Sequence, residues 1–144
     1  SEPVVLFRDF DMPNGIVFSP DGSRLYVADT GGHKRHPDPK YHNYPDTVTC
    51  YAVSKQGKLG KKLFTIDEGS DGMAVDVKGN LYLTHGQVQV YDADGKKLET
   101  IEVPEKPANV CFGGKDYKTL FITARTSLYQ VRLAHAGAMS LRNK

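Results

Sequence analysis

Tryptophan is absent from this chain, and cysteine is nearly so, at 2 of 144 residues. Two cysteines cannot build the multiple-bridge framework that staples small secreted domains. Cys50 and Cys111 each sit among alternating apolar residues, in VTCYAV and NVCFG. That setting predicts a buried small hydrophobe in a strand for both and leaves the redox compartment open. No apolar run approaches the ~20 residues that a bilayer-spanning helix requires. An excess of charge of either sign is also missing: 19 Lys and Arg stand against 17 Asp and Glu, a formal net charge of +2. So small an imbalance excludes the basic stripe of a dedicated nucleic-acid binder. The lysines of KQGKLGKK and GKK read as a solvated face. The opening SEPVVLFRDF has neither the basic n-region nor the apolar h-region of a signal peptide, and it has no initiator Met. The expectation is a soluble chain, cytoplasmic or periplasmic, that is processed, trimmed or excised from something longer.

Helical periodicity is missing too, apart from a tail, AHAGAMSLRNK, long enough for one frayed turn. What is present is 14 Gly, 8 Pro and 8 Tyr on a 39% hydrophobic, 25% charged background. That is the composition of one globular domain made of short strands and turns, not of a disordered segment. A repeat organises it. PNGIVFSPDGSRLYVADT from Pro13, SDGMAVDVKGNLYLTH from Ser70 and PANVCFGGKDYKTLFITA from Pro107 share one pattern. Each opens on Asn14, Asp71 or Asn109, runs through an apolar stretch and a polar Gly-containing turn, and ends in a Leu-aromatic strand. Asp71 and Asn109 are 38 residues apart (109 − 71), which fits the ~40-residue period of a four-stranded propeller blade. Asn14 and Asp71 are 57 apart (71 − 14). The excess coincides with residues 31–46, GGHKRHPDPKYHNYPD, which read as an inserted surface loop.

Period-2 alternation places strands at 4–9, 16–19, 24–29, 47–53, 62–66, 73–77, 80–85, 88–93, 98–103, 109–113, 119–124 and 127–133. Turns such as SPDG, KQGK, VKGN, DADGK and GGKD separate them. The reading is all-β: a single half-propeller domain over 1–144. Its blades span about 13–66, 70–103 and 107–133, with strand 4–9 completing a neighbouring blade and a tail over 134–144. Three consecutive blades leave open faces at both ends. Two copies head to tail, each lending its leading strand to the other's last blade, would make a six-bladed ring with two-fold symmetry.

The phrases PNGI, DGM and CFGGKDY, in this order within PNGIVFSPDGSRLYVADTGG, SDGMAVDVKGNLYLTHG and ANVCFGGKDYKTLFITARTSLYQVRL, resemble the gluconolactonase/regucalcin (senescence marker protein-30) family. The resemblance runs from about Val4 to Leu133 and corresponds to the C-terminal half of that family's six-bladed propeller. It implies a metal-dependent hydrolase of sugar lactones, or a half-length relative of one. The family's divalent metal is held by a Glu, the Asn of PNG and the Asp of DGM. The last two carry over as Asn14 and Asp71, with Asp71 also the catalytic general base. The family's Glu, in its Glu-Gly-Pro context, has no counterpart; Glu2 precedes Pro3 but lacks that context. Oxygen ligands from Asn and Asp suit Ca2+ first, with Zn2+, Mg2+ or Mn2+ also admissible.

Equivalent starts of successive inner strands point at one axial channel, so Asn14, Asp71 and Asn109 are expected to line it. The competing reading is that they cap strand starts through Asx-turns. Asn109, His85 and Arg125 are the candidate substrate-binding residues: His85 at a strand end near the channel or in a core or rim role, Arg125 facing an acidic sugar group or lying as an exposed turn residue. His33, His36 and His42, with His85 as a fourth, invite a zinc reading, but their spacing is irregular and the loop holds no Cys, so a solvated loop is preferred. Asp21, Asp29 and Asp76 fit turn and strand-end hydrogen bonding. The expected partners are a small-molecule sugar lactone and a second copy of the chain or a missing N-terminal half, without nucleic acid or membrane. The rival functional reading is a non-enzymatic half-propeller scaffold or binding module.

Overall fold

A computed structural model of the chain describes residues 2–31, 34 and 36–143. Three antiparallel sheets follow one another along the sequence. The first has strand order β1 (Pro13–Phe18), β2 (Arg24–Asp29), β3 (Thr47–Val53), β4 (Leu59–Ile66). The second is β5 (Met73–Val75), β6 (Leu81–His85), β7 (Gln87–Tyr91), β8 (Lys97–Ile101). The third has β9 (Pro107–Gly113), β10 (Thr119–Ala124) and β11 (Leu128–Arg132). Each is a meander joined by short turns except for the long 30–46 loop between β2 and β3, and the first strands β1, β5 and β9 pack side by side. These are propeller blades seen from their inner edges.

Alternation along each strand decides which residues enter which core. In the first sheet Val17, Tyr26 and Cys50 are cross-strand partners and point toward the second sheet. There Tyr26, Ala28, Val48, Cys50 and Ile66 meet Met73, Val75, Leu81, Leu83 and Tyr91. The opposite face of the second sheet sends Ala74, Tyr82, Val88 and Val90 against Val110, Leu120 and Ile122 of the third. The middle blade is thus buried on both faces, which is why β6 reads as an uninterrupted apolar LYL.

A carboxylate shapes the turn after the first strand of every blade. Asp21 accepts from the Ser23 amide (3.0 Å), Asp76 from the Lys78 and Asn80 amides (2.9 Å each), and Asp116 from the Lys118 amide (3.2 Å). Asp76 is fully buried and also accepts from the Asn80 side-chain amide and the Tyr82 hydroxyl. Asp29 accepts the Asp11 and Met12 amides at 2.9 and 2.7 Å, tying the segment before β1 to the end of β2.

Three expectations are corrected. Residues 4–9 form no strand, because an outer strand needs a neighbour to pair with. They lie instead across the first sheet, with Phe7 stacked on Tyr51 at 5.0 Å. Cys50 is buried as expected, but Cys111 is exposed: it pairs with Phe121 on the face of the last blade that no further blade covers. The tail is not frayed. Val77 and Gly137 donate to Ala136 and Tyr117 (2.8 and 2.9 Å), Gly137 bridges Asp76, and Ala138–Asn143 forms a 3-10 turn.

Both ends of the blade stack are open. Ile16, on the outer face of the first blade, is 61% exposed, and Leu128, on the edge strand β11, is 69% exposed. No helix among the described residues is long and apolar enough to cross a membrane.

The turn carboxylates carry an acid-stability signature. The Ser19 hydroxyl and then the Ser23 amide hold the Asp21 carboxyl down at about 2, and Arg132 and then the Lys118 amide do the same for Asp116. An ordinary carboxyl sits at 3.8. The stability these contacts supply is therefore fully present above about pH 4 and is lost as pH falls toward about 2. In an acid titration of the fold followed by circular dichroism, Asp21→Asn combined with Asp116→Asn should flatten the loss of stability across that interval.

Candidate functional site

The N-terminal ends of the three inner strands meet at one rim, and glycine lets them do so. The Gly15 amide donates to the Ser70 carbonyl at 3.4 Å, and the Gly72 amide donates to Ala108 at 2.9 Å. A Cβ on Gly15 would lie 2.8 Å from the Asp71 carbonyl oxygen, and one on Gly72 would lie 2.0 Å from Asn109 Oδ1. Any side chain at either position would force the strands apart. Stitched in this way, β1 brings Asn14, the connector before β5 brings Asp71, and β9 brings Asn109 to the same rim.

Asn14 Nδ2 donates to Asp71 Oδ1 at 3.1 Å, across the boundary between two blades. Asn109 Oδ1 instead accepts from its neighbour's amide, Val110, at 2.8 Å. Neither contact is an Asx-turn, which would run to the amide two residues on: Asn109 bonds the amide of the next residue and Asn14 bonds Asp71 across the blades. All three residues are exposed. At the opposite ends of the inner strands the chain forms an apolar pocket lined by Phe18, Val75, Phe112 and Met139. It holds none of the candidate residues.

Beneath the rim lies a hydroxyl pair that sequence reasoning did not single out. Ser70 and Thr84 are buried. Ser70 Oγ donates to the Gly72 carbonyl (2.7 Å) and accepts from the Thr84 amide (2.9 Å). Thr84 Oγ1 accepts from the Gly72 amide (3.0 Å) and faces the Gly72 and Ala108 carbonyls at 2.8 and 3.0 Å. Asp71 and Gly72 both lie opposite Thr84 on β6: the Asp71 amide reaches the Thr84 carbonyl, and the Thr84 amide reaches the Gly72 carbonyl, each at 3.3 Å. Two residues against one is the count of a β-bulge, a device that re-aims a side chain. The signal in the sequence was a small polar residue beside an apolar stretch, Ser70 before DGM and Thr84 after LYL.

His85, the next residue on β6, sits between two carboxylates. Its Nδ1 contacts Glu68 Oε1, and its Nε2 lies 3.1 Å from Asp46 Oδ2. The Tyr91 hydroxyl donates to the other Glu68 oxygen at 3.1 Å. Burial and the Glu68 charge push the Tyr91 phenol up to about 12, so it stays a donor. Arg125 is exposed in the turn between β10 and β11, at the same end of the third blade as Asn109, whose partner on β10 is Thr123.

The zinc reading of the loop finds no support. His36 Nε2 faces the Arg8 carbonyl at 2.6 Å, its Nδ1 accepts the Asp38 amide at 2.9 Å, and His42 Nε2 faces the His36 carbonyl at 2.7 Å. Backbone groups occupy these ring nitrogens. The Asp11 carboxylate takes the Lys34 and His36 amides, which fastens the loop to the segment before β1. His33 lies outside the described residues. Among the described residues, no three His, Cys, Asp or Glu side chains come together in a way that could hold a metal ion.

A family profile described as the SMP-30/Gluconolactonase/LRE-like region matches residues 2–126. The chain is 30% identical over 128 residues to regucalcin of Bos taurus, covering 81% of this chain and 38% of that protein. In three dimensions it resembles a gluconolactonase from Xanthomonas campestris, with a TM-score of 0.68 at 32% identity over 86% of this chain and 38% of that one. It also resembles the calcium-binding protein regucalcin from Agrobacterium tumefaciens, with a TM-score of 0.64 at 28% identity, over 82% of this chain and 39% of that one. The chain spans about two fifths of the length of these relatives.

The glycine contacts give a direct test of how the rim is assembled. Gly72→Ala places a carbon 2.0 Å from Asn109 Oδ1 and 2.8 Å from Asn109 Cα. Overpacking of this kind should lower stability by about 1–3 kcal/mol, read by urea denaturation. An unchanged midpoint would mean that β5 and β9 do not approach as described.

Proposed function

This chain belongs to the SMP-30/gluconolactonase/LRE-like family, and from that membership we propose that it forms part of a metal-dependent hydrolase of sugar lactones. The observation that carries the reading is the Asn14–Asp71 contact at 3.1 Å between adjacent inner strands, with Asn109 beside Gly72 on the same rim. Asn14 and Asp71 bond to each other across blades, and all three side chains face solvent and offer one carboxylate and amide oxygens.

Such a donor set suits a hard divalent cation, Ca2+ first and Mg2+, Mn2+ or Zn2+ otherwise. Half a turn of the Asn14 amide puts its oxygen where its nitrogen now sits, so that Asp71 and Asn14 present two oxygens to one point. A cation bound there would polarise the lactone carbonyl and acidify a water. Asp71 takes the proton from the attacking water as general base. Asn109, Arg125 and His85 would be the residues that contact a sugar lactone there, with the Arg125 guanidinium available to an acidic group.

One carboxylate is too few for Ca2+, which takes six to eight oxygens. The remaining ligands would come from further blades. A second copy of this chain, arranged head to tail, would place two Asp71 and four Asn side chains around one channel; an N-terminal half would supply the family's Glu. The unpaired outer edge of β11 supports a pairing of this kind. The alternative reading, a non-enzymatic half-propeller scaffold or binding module, is favoured by the absence of any three-ligand cluster among the described residues.

Two measurements decide between them. Calorimetric titration of Ca2+ into the chain should show binding that Asp71→Ala abolishes, with chelator-sensitive lactone hydrolysis lost in the same variant. Unchanged affinity in Asp71→Ala would remove the rim assignment. Native mass spectrometry should show a species of twice the chain mass at low micromolar concentration. A well-folded monomer there would exclude closure by a second copy.

A further inference from the structure

The first and middle sheets differ at one equivalent pair of positions. In the middle sheet Gln89 on β7 stands opposite Thr100 on β8, and the Thr100 hydroxyl donates to Gln89 Oε1 at 2.7 Å. In the first sheet the pair is Thr49 on β3 and Thr65 on β4. Threonine is shorter than glutamine, and among the described residues Thr65 Oγ1 is buried with no hydrogen-bond partner. A cavity of about 250 Å3 lies beside this pair. We propose that the cavity binds a neutral polyhydroxylated ring of monosaccharide size. The site is separate from the rim, because none of Asn14, Asp71 and Asn109 lines it, and it does not rest on the lactonase reading.

This chain alone builds the walls. Thr49 and Tyr51 alternate with Val48 and Cys50 along β3, so they stand on the face turned away from the middle blade. Both are buried, at 7% and 6% exposure, although no further blade lies on that face. What covers them is the segment before β1 and the end of the 31–46 loop. Phe10 stands edge-on to Tyr51 at 6.5 Å, and Tyr44 closes the space from the loop. Gly31 fixes the loop end, since a Cβ there would lie 1.9 Å from the Tyr44 carbonyl oxygen.

The lining selects the ligand. A buried hydroxyl without a partner is costly, so something polar belongs beside Thr65. Water fills such a space when nothing else does, and at ~30 Å3 per molecule the cavity takes several. A ring carrying hydroxyls replaces several waters at once while keeping their hydrogen bonds. Acceptors are present in Asp9 and Asp29; Asp29 already takes the Asp11 and Met12 amides. Burial, and then the charges of Asp9 and Asp29, push the Tyr51 phenol up, so it stays a hydroxyl donor. Among the described residues, Lys62 is the only cation on the lining, opposite Tyr51. One ammonium against two carboxylates disfavours an anion. The Phe10 and Tyr44 rings offer apolar surface for the C–H side of a sugar ring.

The test titrates the full chain with D-glucose and follows backbone amide shifts. The amides of Thr49, Tyr51 and Thr65 should move saturably with a Kd of about 1 mM, the range open to a ligand of ~12 non-hydrogen atoms. Thr49→Gln rebuilds the pair of the middle blade. It should fill the cavity, give Thr65 an acceptor and weaken glucose binding by about tenfold or more. Thr65→Val keeps the shape and removes the hydroxyl. It should weaken binding by about fivefold while raising the Tm, because the unpaired buried group is gone. Asp71→Ala should bind glucose as wild type does. No saturable shift at the three amides, wild-type affinity in Thr49→Gln or Thr65→Val, or loss of binding in Asp71→Ala would each overturn the proposal. Should Thr49→Gln fail to fold, Thr65→Val decides alone. Glucose binding here in a chain that hydrolyses no lactone would count against the proposed function alone.

Discussion

Two glycines set how closely neighbouring blades approach at the rim. Gly15 lies against Asp71 and Gly72 against Asn109, and in neither place is there room for a single additional carbon. Because the inner strands touch there, their preceding residues converge, and polar side chains from three blades share one rim. The hydrogen bonds of Gly15 to Ser70 and Gly72 to Ala108 then satisfy backbone groups that the bulge opposite Thr84 would otherwise leave without partners. Asn14, Asp71 and Asn109 are arranged around this junction.

Away from the junction, the blades are held by ordinary means. The middle sheet buries both faces, and the hydroxyls of Ser70 and Thr84 sit inside that packing with their hydrogen bonds made. A buried hydroxyl is tolerable only when it is paired. Here the pairing also connects β6 to the connector that carries Asp71. The polar rim is thus supported from below by a dry, satisfied layer. The outer blades show the opposite condition. Ile16 on one face and Leu128 on the other edge remain in solvent, as expected of sheets built to be covered.

Much of the architecture was legible before any coordinates. Strands β2, β3 and β10 fall where alternation placed them, and the repeat that starts at Asn14, Asp71 and Asn109 is the repeat of the sheets. Local patterns carry such information well, because period-2 burial and Asp-Gly turns are written within a few residues. Segment 4–9 alternates as a strand should, but a strand exists only with a partner, which no local pattern supplies. Cys111 has the same apolar neighbours as Cys50; whether it is buried depends on the next blade, not on those neighbours. The loop histidines invited a zinc reading that was set below a solvated loop, and the ring nitrogens of His36 and His42 face backbone atoms of the loop and of Arg8.

The sequence by itself determined the all-β repeat, the positions of the turns and the family to which the chain belongs, because each is set by residue spacing along the chain. Only the tertiary structure decided that Asn14 bonds Asp71 while Asn109 turns to its neighbour's amide, and that His85 lies beside Asp46 and Glu68. Those partners lie 57, 39 and 17 residues apart. Contacts across such separations depend on how blades stack, and stacking is settled by glycines whose importance is the absence of a side chain.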